Sequence, residues 1–101
     1  NNTTRGWWKE ASPELRRNVC RYLGFESNEE NIAANLTRLA WMSSSSLAIT
    51  PLQDLLNLEG NCRMNLPGTI SGNWIWRCTA RQFRALNPNL LREWNEISGR
   101  A

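Results

Sequence analysis

Apolar and polar positions recur with helical spacing over much of the chain. Leu15, Val19, Tyr22 and Leu23 form one apolar stripe. Ser12-Pro13-Glu14 stands before it and supplies a cap, a first-turn proline and an acid suited to a helix N-terminus. Gly24 follows as a stop. A second stripe, Ile32, Leu36, Leu39 and Ala40, ends at Trp41-Met42. Ser27 and Glu30 have capping-box spacing, which predicts that this helix starts at Ser27. Leu47-Ala48-Ile49-Thr50 then breaks the pattern as a short apolar run closed by Pro51, which predicts a brief strand buried on both faces. Leu52 to Leu58 read as a short helical turn ended near Gly60. From Asn61 to Arg77 the chain is loop-like, punctuated by Pro67, Gly68 and Gly72. Thr79 and Gln82 repeat capping-box spacing and predict a short helix through Leu86. Asn87-Pro88 opens a last helix, with Leu90, Leu91, Trp94 and Ile97 on one face and Gly99 as its stop.

This order of elements is incomplete as a fold. A buried strand needs partners for its backbone N–H and C=O groups, and a lone strand cannot supply them. The partners must lie outside this chain or come from a second copy of it. Six Trp add a large apolar load for so short a chain, which argues for packing against something absent. Helix–strand–helix order fits the last unit of an α/β protein with a parallel sheet.

Composition narrows the function classes. The length of 101 residues allows one small domain. No apolar run approaches a membrane span, and the polar start Asn1-Asn2-Thr3-Thr4 is not followed by a secretory apolar region. The chain does not begin with Met, so the expectation is that its visible start is not the natural one. The net charge of +3 comes from scattered Arg residues, which reads as solvated helix faces and not as a nucleic-acid surface. Cys20, Cys62 and Cys78 have no short spacing, and there is no His, so neither a zinc site nor any other cofactor site is expected. Reduced thiols and a cytoplasmic location are the expectation.

The missing His also excludes Ser–His and Cys–His nucleophilic pairs. Carboxylate chemistry on a glycosidic bond needs two placed acids. Most Glu residues fall at helix starts or on polar faces, where capping and solvation explain them. Asp54 and Glu59 sit near the loop after the strand, but neither has an evident carboxylate partner, and a local hydrogen-bonding role suits Asp54 better. The loop Cys62-Arg63-Met64-Asn65-Leu66-Pro67-Gly68-Thr69 joins a rigid turn to an Arg and an Asn. Asn65 offers donors and an acceptor that suit sugar hydroxyls, although a structural turn explains it as well. In an extended stretch, Trp74 and Trp76 would face one side, either to stack on sugar rings or, more often, to anchor the loop to a core.

Taken in order, Pro51-Leu52-Gln53-Asp54-Leu55-Leu56, then Arg63-Met64-Asn65 with Pro67-Gly68, then Gly72-Asn73-Trp74 and Trp76-Arg77 resemble the end of a 4-alpha-glucanotransferase, or amylomaltase. The start, Asn1-Asn2-Thr3-Thr4 with Gly6-Trp7, is similar to the stretch just after the family's His-Asp-Asn motif, so the resemblance spans nearly the whole chain. Asn57 and Glu59-Gly60-Asn61-Cys62 depart from the family's usual Gly- and Ala-rich wording. The resemblance implies an α/β fold: residues 1–101 would be the C-terminal portion of a (β/α)8 TIM barrel, about its last one to two βα units, mostly helical with one short strand. Residues 1–11 would be the loop after strand seven, 12–42 helices, 46–50 strand eight, 51–78 an active-site loop region and 79–99 terminal helices.

The implied activity is retaining transfer of α-1,4-glucan segments between glucans, with maltooligosaccharides and the remainder of the barrel as partners. The family's three catalytic acids would all lie outside the chain, the third immediately before Asn1. Asn65 would reach toward bound glucan, Arg63 and Pro67 would shape its loop, and Asn1 would sit beside the missing acid. The chain alone is therefore expected to be inactive. Two other readings stay open: a non-catalytic carbohydrate-binding module using Trp74, Trp76 and Asn65, and a small basic adaptor for nucleic acid.

Overall fold

The computed structural model describes residues 2–100. Six α-helices follow in chain order: α1 (Thr4–Glu10), α2 (Pro13–Leu23), α3 (Ile32–Trp41), α4 (Leu52–Leu55), α5 (Ala80–Arg84) and α6 (Pro88–Ser98). A 3-10 turn covers Gly60–Cys62. The cap signals act where the sequence puts them. Ser12 Oγ accepts from Leu15 N at 3.1 Å and starts α2, and Gly24 ends it at φ 87°. At α5, Thr79 Oγ1 accepts from Gln82 N and Gln82 Oε1 accepts from Thr79 N, a complete capping box. Asn87 caps α6, and Gly99 closes it in the left-handed region.

Three expectations fail locally. Residues 1–11 are not simply a loop, because Thr3 Oγ1 accepts from Gly6 N and opens α1. The second helix begins at Ile32, not at Ser27. Asn28 Oδ1 accepts from Glu30 N and Asn31 N, while Asn31 Oδ1 accepts from Asn28 N, so a side-chain-closed turn takes the place of the first helical turn. Ser27 Oγ is meanwhile occupied by Asn35 Nδ2 at 3.0 Å. Finally, Leu47–Thr50 forms no strand, and no strand occurs among the described residues. The physical reason is the one that made the strand conspicuous: no other segment here offers a backbone edge for it.

α3 lies at the centre and packs against α1, α4 and α6. Its Ile32 and Ala33 are buried with Trp8 of α1 and Trp94 of α6. Trp41 stacks obliquely on Trp94, ring centroids 6.1 Å apart, and its indole N–H donates to Asn95 Oδ1 at 2.8 Å. Arg16 of α2 secures the end of α1: it donates to the carbonyls of Trp8 and Lys9 and sits 5.6 Å from the Trp8 ring centroid. α2 itself buries no residue.

This core is small for the chain. The accessible surface is 7189 Å², whereas a self-contained monomer of this mass would expose roughly 5,800 Å². Leu47, Ile49, Ile75 and Phe83 are among the large apolar side chains left in solvent. No helix among the described residues is long and apolar enough to cross a membrane.

Candidate functional site

An open cleft of about 440 Å³ lies between the segment of residues 2–10, which contains α1, and the 3-10 turn with the loop that follows it. Asn2 and Glu10 form one rim; Arg63, Asn65, Thr69 and Asn73 stand on the other. Asn2 Oδ1 accepts from Thr3 N at 2.8 Å, and its amide nitrogen is 3.4 Å from Glu10 Oε2. The second rim is held by its own side chains. Asn73 Oδ1 accepts from Leu66 N at 2.8 Å, and Asn73 Nδ2 donates to Thr69 O. Thr69 Oγ1 donates to Leu66 O at 2.6 Å, and Trp74 N donates to Met64 O.

Of the residues named from sequence, Arg63 and Asn65 line this cleft together. Pro67 does not line it and is exposed. Asn1 lies outside the described residues. Trp74 adopts φ 63°, so the extended alternation expected for Trp74 and Trp76 does not hold. The chain turns at Gly72-Asn73-Trp74 to close the loop, and Trp74 is left 65% exposed instead of anchored. Trp76 is half-buried.

Asp54 makes no local bond of the kind expected in its helical turn. Its Oδ1 accepts from Thr4 N at 2.8 Å and its Oδ2 from Thr4 Oγ1 at 2.7 Å, joining positions 50 residues apart. The neighbouring Gln53 is buried, and its Nε2 donates to Cys62 O at 3.2 Å. The sequence motif contained both residues, but only the tertiary packing reveals these grips. Glu59 accepts from Lys9 Nζ at 3.1 Å and lies 3.3 Å from Arg5 Nε, an ion-pair distance without hydrogen-bond geometry.

Chemically, the cleft offers amides, a guanidinium and hydroxyls with a single carboxylate, Glu10, among the described lining residues. Such a set can bind polyhydroxylated ligands. It cannot break a glycosidic bond by the two-carboxyl route. A larger open groove of about 880 Å³ runs along α2 beside Arg16, Arg17 and Arg21. It borders α2, which has no fully buried residue, and it contains none of the residues that the family resemblance places at the glucan site.

The profile of the 4-alpha-glucanotransferase family matches residues 1–82. The chain belongs to this family. The 4-alpha-glucanotransferase of a Synechocystis strain is 47% identical over 94 residues, which is 93% of this chain and 17% of that protein. The Thermus thermophilus 4-alpha-glucanotransferase is 41% identical over 104 residues, covering 99% of this chain and 21% of the relative. The chloroplastic/amyloplastic 4-alpha-glucanotransferase of Solanum tuberosum is 44% identical over 77 residues, 76% of this chain and 13% of its own length. The chain thus spans about a fifth or less of these relatives. Among solved structures, the amylomaltase of Streptococcus agalactiae in complex with acarbose superposes with a TM-score of 0.87 at 29% identity, over 98% of this chain and 20% of that one. The arrangement of helices and loops described above is therefore that of a 4-alpha-glucanotransferase segment.

Proposed function

We propose that this chain works as part of a larger 4-alpha-glucanotransferase, where it supplies the last one to two βα units of a (β/α)8 barrel and one wall of the glucan site. The parent enzyme transfers α-1,4-glucan segments between maltooligosaccharides by a retaining mechanism. The observation that carries this reading is the meeting of Asn2 with Arg63 and Asn65 across one cleft, in a chain of this family. Asn65 donates to and accepts from sugar hydroxyls, and Arg63 shapes its loop. The nucleophile, the acid/base and the stabilising acid come from other parts of the enzyme. Excess exposed surface and the unpaired Leu47–Thr50 run support docking onto the remainder of the barrel, with this run as strand eight. Unpaired Cys20, Cys62 and Cys78 fit a reducing compartment such as the cytoplasm.

Two measurements test this. Purified chain of these 101 residues is expected to convert no maltotriose; conversion would show that the bond-breaking groups are inside it. Asn65→Ala in the parent enzyme is expected to raise KM for maltotriose roughly tenfold, the loss of one or two hydrogen bonds to substrate. An unchanged KM would remove Asn65 from the glucan site. The exposure of Trp74 favours one further reading, a sugar-stacking surface on the same chain. Maltooligosaccharide titration of the isolated chain separates the two: saturable binding lost in Trp74→Ala supports the stacking surface.

A further inference from the structure

We propose that Gln53 and Asp54 are positioning residues with divided roles, Asp54 holding the catalytic-side rim of the cleft and Gln53 the glucan-binding rim. The proposal rests on the glucan-transfer reading above. Both residues belong to α4, a single helical turn (Leu52–Leu55), so they move as one body. Asp54 grips Thr4 through both carboxylate oxygens, at 2.8 and 2.7 Å. Thr4 is two residues from Asn2, the cleft residue of the first rim, and only a few positions after the place the family resemblance gives to the stabilising acid. Gln53, in the opposite direction, donates to Cys62 O at 3.2 Å, directly before Arg63 on the second rim.

Each grip also suits its load. The bond from a charged carboxylate to a backbone N–H and a hydroxyl is the stronger type, and two such bonds fix orientation as well as distance. The amide-to-carbonyl bond of Gln53 is single and neutral, but the Gln53 side chain is itself buried, where an unpaired amide would be penalised. The two rims have no covalent link shorter than the chain between them, so their spacing depends on non-covalent contacts: the packing of α1 on the 3-10 turn and the two grips of α4. A residue acting on the catalytic side alone should change turnover. One acting on the binding loop alone should change apparent affinity.

The experiment compares Asp54→Asn, Gln53→Leu, Thr4→Val and Thr4→Ser in the parent enzyme, with kcat and KM for maltotriose measured well below each variant's Tm. Asp54→Asn is expected to lower kcat roughly tenfold or more with KM within about twofold, and Gln53→Leu to raise KM roughly fivefold with kcat within about twofold. Thr4→Val, which removes one of the two grips, follows Asp54→Asn in direction, and Thr4→Ser, which restores the hydroxyl, recovers turnover relative to Thr4→Val. Equal losses in kcat and KM terms for both α4 variants, tracking only a fall in Tm, would overturn the division of roles and leave a merely structural brace. So would the reverse split. An active wild type with no split refutes the positioning proposal alone; a wild type without transfer activity refutes the glucan-transfer reading and this proposal with it.

Discussion

Gly6 and Gly60 touch through their backbones. A Cβ placed on Gly6 would lie 2.8 Å from Gly60 Cα and 2.5 Å from Asn2 Oδ1. α1 therefore lies against the 3-10 turn at a distance that no side chain permits, and this contact sets one floor of the cleft beside Asn2. The reciprocal position is less crowded. A Cβ on Gly60 would meet Asn2 Oδ1 at 2.8 Å but Gly6 Cα only at 3.7 Å, an ordinary contact.

The asymmetry predicts unequal effects of alanine. Gly6→Ala gains helix propensity of about 1 kcal/mol but forces α1 away from backbone that cannot yield. Its net effect is expected to be destabilising by ~1–3 kcal/mol, as for other overpacked sites. Gly60→Ala displaces only the end of the Asn2 side chain and is expected to stay within ~1 kcal/mol. Thermal unfolding of both variants in the parent enzyme checks the order; a Gly60→Ala loss larger than that of Gly6→Ala would reject it.

Arg5 predicts a salt-dependent loss. Its guanidinium lies 3.2 Å from Glu29, 3.4 Å from Glu30 and 3.3 Å from Glu59, and it donates to Asn57 O. The carboxylates are largely wet, so each pair contributes little alone. The guanidinium, with its side chain 19% exposed, is the common counter-ion of all three. Arg5→Ala leaves Glu29 and Glu30 without this partner and Glu59 with Lys9 alone, and is expected to destabilise by ~1–2 kcal/mol at low salt. In 1 M NaCl, where the screening length falls to about 3 Å, the difference from wild type should shrink by about half. A loss independent of salt would mean that Arg5 acts through packing of its stem.

These particulars mark what the sequence could and could not express. Ser12, Gly24, Thr79 with Gln82, and Gly99 signal their helix ends locally, and the structure uses each one. α1 carried only Thr3 as a signal and includes Gly6, a poor helix former; its first residue is held by Asp54 from 50 positions away. That bond is invisible to any local rule. Ser27 illustrates the opposite case: a good capping pattern lost to a turn closed by Asn28 and Asn31. At the cleft, the nearness of Arg63 and Asn65 was legible because both stand in one short loop motif. Gln53 and Asn73, inside the same motifs, carry no local mark as braces because their partners, Cys62 and Leu66, are fixed only by the fold.

Burial predicts that the Trp residues are not equivalent. Trp94 is 5% exposed, and its loss in Trp94→Ala would leave a cavity against α3 and strip Trp41 of its ring partner. The expected loss is ~3–5 kcal/mol. Trp74 buries little in this chain, and Trp74→Ala is expected to change stability by less than ~1 kcal/mol in the isolated chain. In the parent enzyme, a larger Trp74 loss would show that the remainder of that protein covers this ring. Urea or thermal unfolding of each variant in both contexts separates these cases.

Asn73 gives the most direct test of the binding loop, because it shapes the second rim without belonging to the core. Its Oδ1 accepts from Leu66 N and its Nδ2 reaches Thr69 O, so one side chain fastens both arms of the Met64–Trp74 turn. The turn is also under backbone strain: Trp74 sits at φ 63°, a region that a bulky residue adopts only at a cost of about 1–3 kcal/mol. Without the Asn73 bonds, Trp74 keeps the Arg77 donation to its carbonyl but the loop loses its tie between Leu66 and Asn73, and the rim that carries Asn65 is held less firmly. Asn73→Ala is therefore expected to raise KM for maltooligosaccharides roughly three- to tenfold, since a loop that must be ordered on binding takes that free energy from the ligand. Because the loop is exposed, Tm should stay nearly unchanged. Asn73→Asp keeps the acceptor for Leu66 N and loses the longer donations of Nδ2 to Thr69 O and Thr69 Oγ1, so its effect should be the smaller of the two. An Asp variant as impaired as the Ala variant would place the importance of Asn73 in direct contact with sugar and not in holding the loop.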